Sequence, residues 1–457
     1  MKPVIELAGK RVLVVGLART GIATALFCAE RGARVTATEA RPEVEIAEAA
    51  AKLHAAGIVL ELGGHRPETF VEQDLIVPSP GVPPTMPALA AARAVGVPVW
   101  SEIELAWRFL RGRLICITGS NGKTTTTSLI GHILETAGLP VQIAGNIGTP
   151  LISRVDISSE ASFTVVEASS FQLESISAFR PNIAVLLNVT PDHLDRHGSV
   201  EAYGRAKARL FENQTEEDAA VINADDAVAP QYAPAGPRMY WFSRLKRVAS
   251  GCYVRGDEIV FRCDGAESVL LERKMIGLRG NHNIENVLAA GAAARIAGVE
   301  PAAIAEGVRT FAGVEHRIEY IATISGVEYF NDSKATNVDA TLKALDAFPG
   351  NVLVILGGKD KGGDFRTLRQ ALRSHARTAL LIGSAAEKIE ADLAGVIPVE
   401  RAGTMARAVE IASRIARPGD TVLLAPACAS FDQFENYEHR GRVFKQLVRE
   451  LEKIQAA

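Results

Sequence analysis

"RLICITGSNGKTTTTSLIGHILETAG", residues 113–138, decides how this chain is read. An apolar run, Leu114 to Ile117, stops abruptly at a polar loop. Beyond the loop, Leu129, Ile130, Ile133 and Leu134 fall at helical spacing, and Gly138 ends the helix. A loop between a buried strand and a helix N-terminus offers unpaired backbone N–H groups to an anion. Gly119 and Gly122 let that backbone close around phosphate oxygens. Lys123 can then reach the terminal phosphates, and Thr124 can offer its hydroxyl to magnesium. The full phosphate-loop pattern needs a glycine where Ile117 stands, so this is a shortened form. Four consecutive threonines are a poor choice for merely starting a helix, which leaves a plain strand-to-helix turn as the weaker reading.

Strand–helix alternation continues on both sides. It begins at "RVLVVGLARTGIATALFCAERGARVTATEA" and begins again after "GVEYFNDSKATN". The pattern predicts an α/β protein of three domains, each built on a mostly parallel sheet with helices: Rossmann-like at the N-terminus, a phosphate-loop domain in the centre, Rossmann-like at the C-terminus. A chain of 457 residues is too long for one core. The expected spans are 1–110, 111–313 and 314–457. Residues 235–275 read as a small antiparallel insert.

Composition excludes several classes. A formal net charge of −3 gives no electrostatic footprint for nucleic acid. No apolar run reaches the roughly 18 residues of a membrane span. The N-terminal stretch enters a strand pattern directly and lacks the regions of a secretory signal. Five cysteines, with no C-x-x-C pair, fit a reduced, cytoplasmic enzyme.

Other motifs gather around the same chemistry. "VVEASSFQLE" puts Glu167 at a strand tip, where a magnesium ligand belongs. "NIAVLLNVTPDHLDRHGS" ends a second buried strand with His193, and a neutral imidazole is an acceptable ligand there. In "EAYGRAKARLFEN", Lys207 has no evident task beyond a solvated helix face. "GNHNIEN" starts a helix with Asn283 and Asn286 on one face; paired amides cap a helix or read a purine edge. Arg317, Asp332, Lys334 and Thr336 follow in loops, then Lys361, Ser430, Phe431 and Tyr437 at later strand ends. "VVGLARTG" is an imperfect Gly-x-Gly-x-x-Gly with Ala18 in the middle, compatible with a diphosphate on the helix N-terminus. "VPSPGVP" adds a stiff turn with Ser79 and Gly81.

In order and spacing, "TGSNGKTT", "VEASSFQLE", "NVTPDHLDRHGS", "YGRAKARLFEN", "GNHNIENVLAA", "HRIE", "NDSKATN", "LGGKDKGGDF" and "PACASFDQFENYEHRG" resemble the Mur ligases, ATP-dependent amide-bond formers of peptidoglycan synthesis. The later motifs resemble the branch that adds D-glutamate to UDP-N-acetylmuramoyl-L-alanine. The resemblance covers essentially the whole chain. It implies that Gly119, Ser120, Asn121, Gly122, Lys123, Thr124, Thr125, Asn283, Asn286, Arg317, Asp332 and Lys334 contact ATP. It implies two magnesium sites, with Thr124 and Glu167 at the first and His193 and Lys207 at the second. Lys207 is then carbamylated, which would give that lysine its task. Lys123, Glu167, His193 and Lys207 form the catalytic set. Gly16, Arg41, Ser79 and Gly81 match the uridine diphosphate side, and Asn146 faces the substrate. Thr336, Lys361, Ser430, Phe431 and Tyr437 match the D-glutamate pocket. A monomer is expected. Two stretches depart from the pattern: "GGKDKGG" has Lys359-Asp360 where Asp-Gly is expected, and "VVGLARTG" with "ATEARPE" matches loosely. The rival readings are a ligase for another amino acid (or a folylpolyglutamate synthetase), a nicotinamide-dependent oxidoreductase and an ATP-driven switch.

Overall fold

The computed structural model describes residues 5–146 and 148–456. Three sheets form in sequence order. The first contains β1 (Arg11–Val15), β2 (Arg34–Glu39), β3 (Val59–Leu62) and β4 (Leu75–Pro78) in the order β3-β2-β1-β4. All its pairings are parallel. The second contains β5 (Arg113–Thr118), β6 (Val141–Gly145), β7 (Phe163–Glu167), β8 (Ile183–Leu186), β9 (Ala219–Asn223), β10 (Arg238–Ser243), β11 (Gly251–Arg255), β12 (Glu258–Cys263) and β13 (Ala266–Glu272). Its order is β13-β12-β11-β10-β9-β8-β5-β7-β6. The third contains β14 (Glu319–Ile324), β15 (Val327–Asn331), β16 (Val352–Gly357), β17 (Ala376–Ile382), β18 (Val399–Gly403) and β19 (Thr421–Leu424), ordered β14-β15-β19-β16-β17-β18.

The expected α/β architecture is therefore present, with one refinement. The stretch at 235–275 does hold antiparallel strands, since β11, β12 and β13 pair that way. They extend the edge of the central sheet through the parallel pair β10–β11 and do not stand apart as an insert.

By compactness the described residues form two units. One holds the residues up to Met275 together with Asn286–Thr310; the other holds Ile276–Glu285 and the residues from Phe311 onward. The first two sheets share a unit because one apolar core runs through both. Val12 and Val14 of β1, Leu114 and Cys116 of β5, and Ile103, Leu105 and Trp107 of the helix Glu102–Phe109 belong to the same cluster. A helix buried on nearly all sides is a packed element of that core. The third sheet has its own cores on its two faces, around Val354 and Leu423 on one and Leu353 and Val422 on the other.

Candidate active site

β5 lies between β8 and β7, so the strand order reverses at its carboxyl end. A crevice opens at such a point in a parallel sheet. The loop Gly119–Gly122 emerges there, and the helix Lys123–Thr136 follows. Gly122 has φ +85°, and a Cβ on it would stand 2.4 Å from Asn286 Oδ1, so glycine is required twice over. Asn188 pins the loop: its Oδ1 accepts from Asn121 N at 2.8 Å and its Nδ2 donates to Asn121 O at 3.0 Å. Ser120 Oγ donates to Thr190 O and accepts from Thr190 N. The cradle is thus preformed. Lys123 Nζ donates to Gly119 O (2.8 Å) and Ser120 O (2.9 Å). Thr125 Oγ1 is buried with no hydrogen-bond partner, an orphaned polar atom in the loop's own helix.

The carboxylate of Glu167 meets this loop from the tip of β7. Its Oε2 accepts from Thr124 Oγ1 at 2.8 Å and its Oε1 from Asn146 Nδ2 at 3.0 Å. Lys207 is 1 % exposed. Its Nζ donates to Gly119 O at 2.8 Å and stands 4.1 Å from the centre of the Tyr203 ring. Burial pushes its pKa well below that of an ordinary lysine, and the Lys123 charge adds to this; Asp192 and Glu167 pull the other way. His193 has a left-handed backbone (φ +53°), and its ring packs edge-on to Phe171 at 4.9 Å.

These donors can be tested against magnesium. Thr124 and Glu167 place a hydroxyl and a carboxylate side by side, the oxygen chemistry that this hard cation prefers. His193 and Lys207 fit a second ion only if the lysine gains an oxygen. The depressed pKa favours the neutral amine, which carries the lone pair that such a modification needs. Among the described residues, the only cluster of three acidic or histidine side chains close enough to share a metal is Glu315, His316 and Glu319. There Lys445 Nζ already bridges Glu315 at 2.9 Å and Glu319 at 2.5 Å, so the cluster is an ion-pair knot.

Gly16, Arg41, Ser79 and Gly81 line one cavity of about 660 Å³ at the carboxyl edge of the first sheet. Ser79 Oγ donates to Gly16 O at 2.8 Å. Glu39 Oε2 accepts from Leu17 N at 2.7 Å and from Arg41 Nη2 at 3.1 Å. Burial alone would raise the Glu39 pKa, but the Arg41 guanidinium and the Leu17 N–H hold it down at about 2.

The residues assigned to D-glutamate come together in the second unit. Ala427 N donates to Ala335 O, and Lys359 and Ala429 exchange backbone hydrogen bonds, which stitches the loops after β15, β16 and β19. Lys334 Nζ lies 5.2 Å from the centre of the Tyr437 ring. Thr336 follows on the same loop, its N donating to Lys334 O. Ser430 is buried, and its neighbour Phe431 is 69 % exposed. Arg317 sits between two residues of positive φ, His316 (65°) and Ile318 (44°). For a β-branched isoleucine that is a strained conformation. Asp332 is buried with Oδ1 unpartnered; burial lifts its pKa to about 6, against the pull of Arg317 and Lys334.

Two sequence readings are sharpened. The amides of Asn283 and Asn286 each hold partners in the chain: Asn283 Nδ2 donates to Arg279 O, and Asn286 Oδ1 accepts from Thr126 Oγ1. Asp360 gains a task. Its Oδ1 accepts from Gly362 N and Gly363 N, both at 2.9 Å, and its Oδ2 from Lys388 Nζ at 2.7 Å. It shapes the turn that carries the exposed Lys361. Sequence reading missed Asn188 and Arg440. Arg440 is fully buried, and its guanidinium reaches Ser333 O, Ser333 Oγ and Cys428 O, beneath two of the stitched loops. Both residues lie inside the motifs quoted above, but neither spacing nor charge says that they point inward.

Comparison with known proteins agrees with this geometry. Three family models match in series: Mur ligase MurD-like, N-terminal domain, over residues 10–101; Mur ligase middle domain, over 117–294; and Mur ligase, glutamate ligase domain, over 316–428. The UDP-N-acetylmuramoylalanine--D-glutamate ligase of Acidobacterium capsulatum is 54% identical over 447 residues, 97% of each chain. That of Solibacter usitatus is 53% identical, covering 98% of this chain and 99% of its own. Among solved structures, a pseudomurein peptide ligase type C from Methanothermus fervidus superposes with a TM-score of 0.61 at 20% identity, covering 97% of this chain and 100% of its own. MurF ligase from Thermotoga maritima in complex with ADP gives 0.62 at 16% identity, covering 98% and 96%. At those identities the structures speak for the fold, while the family models and the close relatives establish descent: the chain belongs to the Mur ligase family.

Proposed function

We infer that this enzyme joins D-glutamate to the L-alanine carboxylate of UDP-N-acetylmuramoyl-L-alanine, consuming ATP, as a step in building cell-wall peptidoglycan. The observation that carries the reading is the cluster at the tip of β5 and β7. A preformed phosphate loop, two lysines on one carbonyl and a Thr124–Glu167 oxygen pair meet there.

A carboxylate is a poor electrophile in water, so it must be activated. One oxygen of the alanine carboxylate attacks the γ-phosphorus of ATP, the bond to ADP breaks, and an acyl phosphate results. The D-glutamate amine attacks the acyl carbon, loses a proton, and expels phosphate. The first step brings two anions together, and stabilising them is positioning plus electrostatics. Lys123 and the N-terminus of its helix face the phosphates. Magnesium, when bound, neutralises charge on the transferring group. Thr124 and Glu167 would hold one ion, and His193 with a carbamylated Lys207 the other. Asn146, hydrogen-bonded to Glu167, would orient the acyl end of the substrate. The cavity containing Gly16, Arg41, Ser79 and Gly81 would take the uridine diphosphate. Arg317, Asp332 and Lys334, with Asn283 and Asn286, would complete the nucleotide site. Thr336, Lys361, Ser430, Phe431 and Tyr437 would form the D-glutamate pocket. The domain limits at 110 and 313, a monomeric state and a cytoplasmic location, where ATP is available, belong to the same proposal.

The test is ADP formation with UDP-N-acetylmuramoyl-L-alanine against a panel of D- and L-amino acids. Turnover should require the nucleotide sugar and D-glutamate together, and Lys123→Ala should abolish it. Turnover that persists when either substrate is withheld overturns the reading.

A further inference from the structure

We propose that Arg196 is a positioning residue that couples the nucleotide-sugar cavity of the first sheet to the His193 turn of the central sheet. Arg196 sits three residues after His193, in the short helix Leu194–His197, within the same compact unit as both sheets. Its Nη1 donates to Pro80 O at 2.9 Å and its Nη2 reaches Val82 O at 3.3 Å. These two carbonyls flank Gly81, which lines the cavity. The stretch Ser79-Pro80-Gly81-Val82-Pro83-Pro84 is poor in backbone donors, so its carbonyls draw a donor from elsewhere. A planar guanidinium serves both carbonyls and the Glu174 carboxylate through one rigid fork, a geometry that the flexible, point-charge ammonium of lysine lacks.

The other side of Arg196 faces the catalytic turn. Nη2 pairs with Glu174 Oε2 at 2.6 Å, with both side chains only 16% exposed. The guanidinium carbon stands 4.1 Å from the centre of the Phe171 ring, and that ring packs against His193. Glu174 Oε1 lies 3.4 Å from His197 Nδ1, and His197 Nε2 meets Ser170 Oγ at 3.0 Å. The backbone closes the circuit, because Arg196 N and His197 N both donate to His193 O at 3.1 Å. His193 has φ +53°, a conformation that persists in a non-glycine residue where the surrounding contacts hold it. A shift of the 80–82 loop when a ligand fills the cavity is therefore transmitted through one rigid fork to the placement of the His193 ring.

This inference rests on the proposed reading of the site, and its test separates the two. Wild type, Arg196→Lys and Arg196→Met are compared as full chains. Removing partners that orient a metal ligand costs about 10–100-fold. The Met variant should lose kcat by about tenfold or more and need about tenfold more magnesium for half-maximal rate, with KM for ATP unchanged within about twofold. The Lys variant should recover part of the loss. Unchanged kcat and magnesium requirement in a folded Met variant overturns the proposal. So does a loss of thermal stability and kcat together with no change in magnesium requirement, which would assign Arg196 to packing. If wild type itself forms no ADP, the functional reading fails, and the coupling is read by hydrogen exchange with UDP as the probe. UDP should slow exchange of the 194–198 amides in wild type and not in the Met variant. Equal slowing in both, or none in wild type, overturns the coupling.

Discussion

Lys207 shows how burial makes a residue's chemistry. The ammonium of a fully buried lysine beside a second lysine is costly, so the neutral amine gains ground at ordinary pH. A neutral amine can take up carbon dioxide as a carbamate, which turns a cation into an oxygen ligand. Lys207→Ala should then lower the rate by about 100-fold, since even the partners of metal ligands are worth 10–100-fold. A small added carboxylate such as acetate should restore part of it. Full activity in the mutant would remove the carbamate from the mechanism. Asp332 carries the opposite bias. Its folded pKa of about 6 lies above the ordinary 3.8 because the carboxyl is buried with one oxygen unpartnered. A raised carboxyl pKa gives stability that is full below about pH 4 and is lost as pH rises through about 6. The difference amounts to about 3 kcal/mol. Asp332→Asn should therefore be more stable than wild type at pH 8, by up to that amount, and should lose most of the pH dependence between 4 and 6 in chemical denaturation. If Asp332 serves the nucleotide, the same variant will be the poorer enzyme. Neither environment was legible in the sequence: Lys207 reads there as a surface helix residue, and only three-dimensional packing reveals the burial.

At the scale of the element, the helix Glu102–Phe109 lies just before the expected domain limit at 110 and is tightly held. The stretch ending in Arg111-Gly112 reads as a joint between domains. In the structure the helix is a bracket. Glu104 Oε2 accepts from the backbone N–H groups of Ser177 (2.9 Å), Ala178 (3.0 Å) and Phe179 (2.7 Å), while Oε1 takes Arg108. Glu102 Oε1 accepts from Ile152 N at 2.6 Å. One helix thus holds two loops of the central sheet through buried carboxylates. Glu104→Ala would leave three N–H groups and an arginine unpaired, at a cost of about 3–5 kcal/mol. The unfolding midpoint in urea should fall accordingly, whereas Glu48→Ala, in the first turn of another helix, should move it little. The strands and the phosphate-loop helix were readable, because apolar runs and helical spacing are local signals. The extension of the central sheet by β11–β13 was not, because pairing partners of an irregular antiparallel stretch are chosen by tertiary register.

At the scale of the molecule, the two compact units shape how the protein should unfold. A chain divided in this way does not have to melt as one cooperative block, and multidomain proteins commonly do not. The cavity lined by Gly16, Arg41, Ser79 and Gly81 and the cluster around Glu167 both lie in the first unit. A ligand filling only those sites therefore acts on that unit. UDP-N-acetylmuramoyl-L-alanine at about one hundred times its Kd should stabilise it by about 2.7 kcal/mol, because it binds the folded form alone. In a calorimetric scan at fixed rate, the transition of the first unit should move to higher temperature while that of the second stays in place. Proteolysis provides an independent reading: fragments from residues below 275 should become resistant, and those from residues above 311 should not. Equal shifts of both transitions would mean that the ligand engages the two units together. The ligand's site would then have to include residues beyond the first unit.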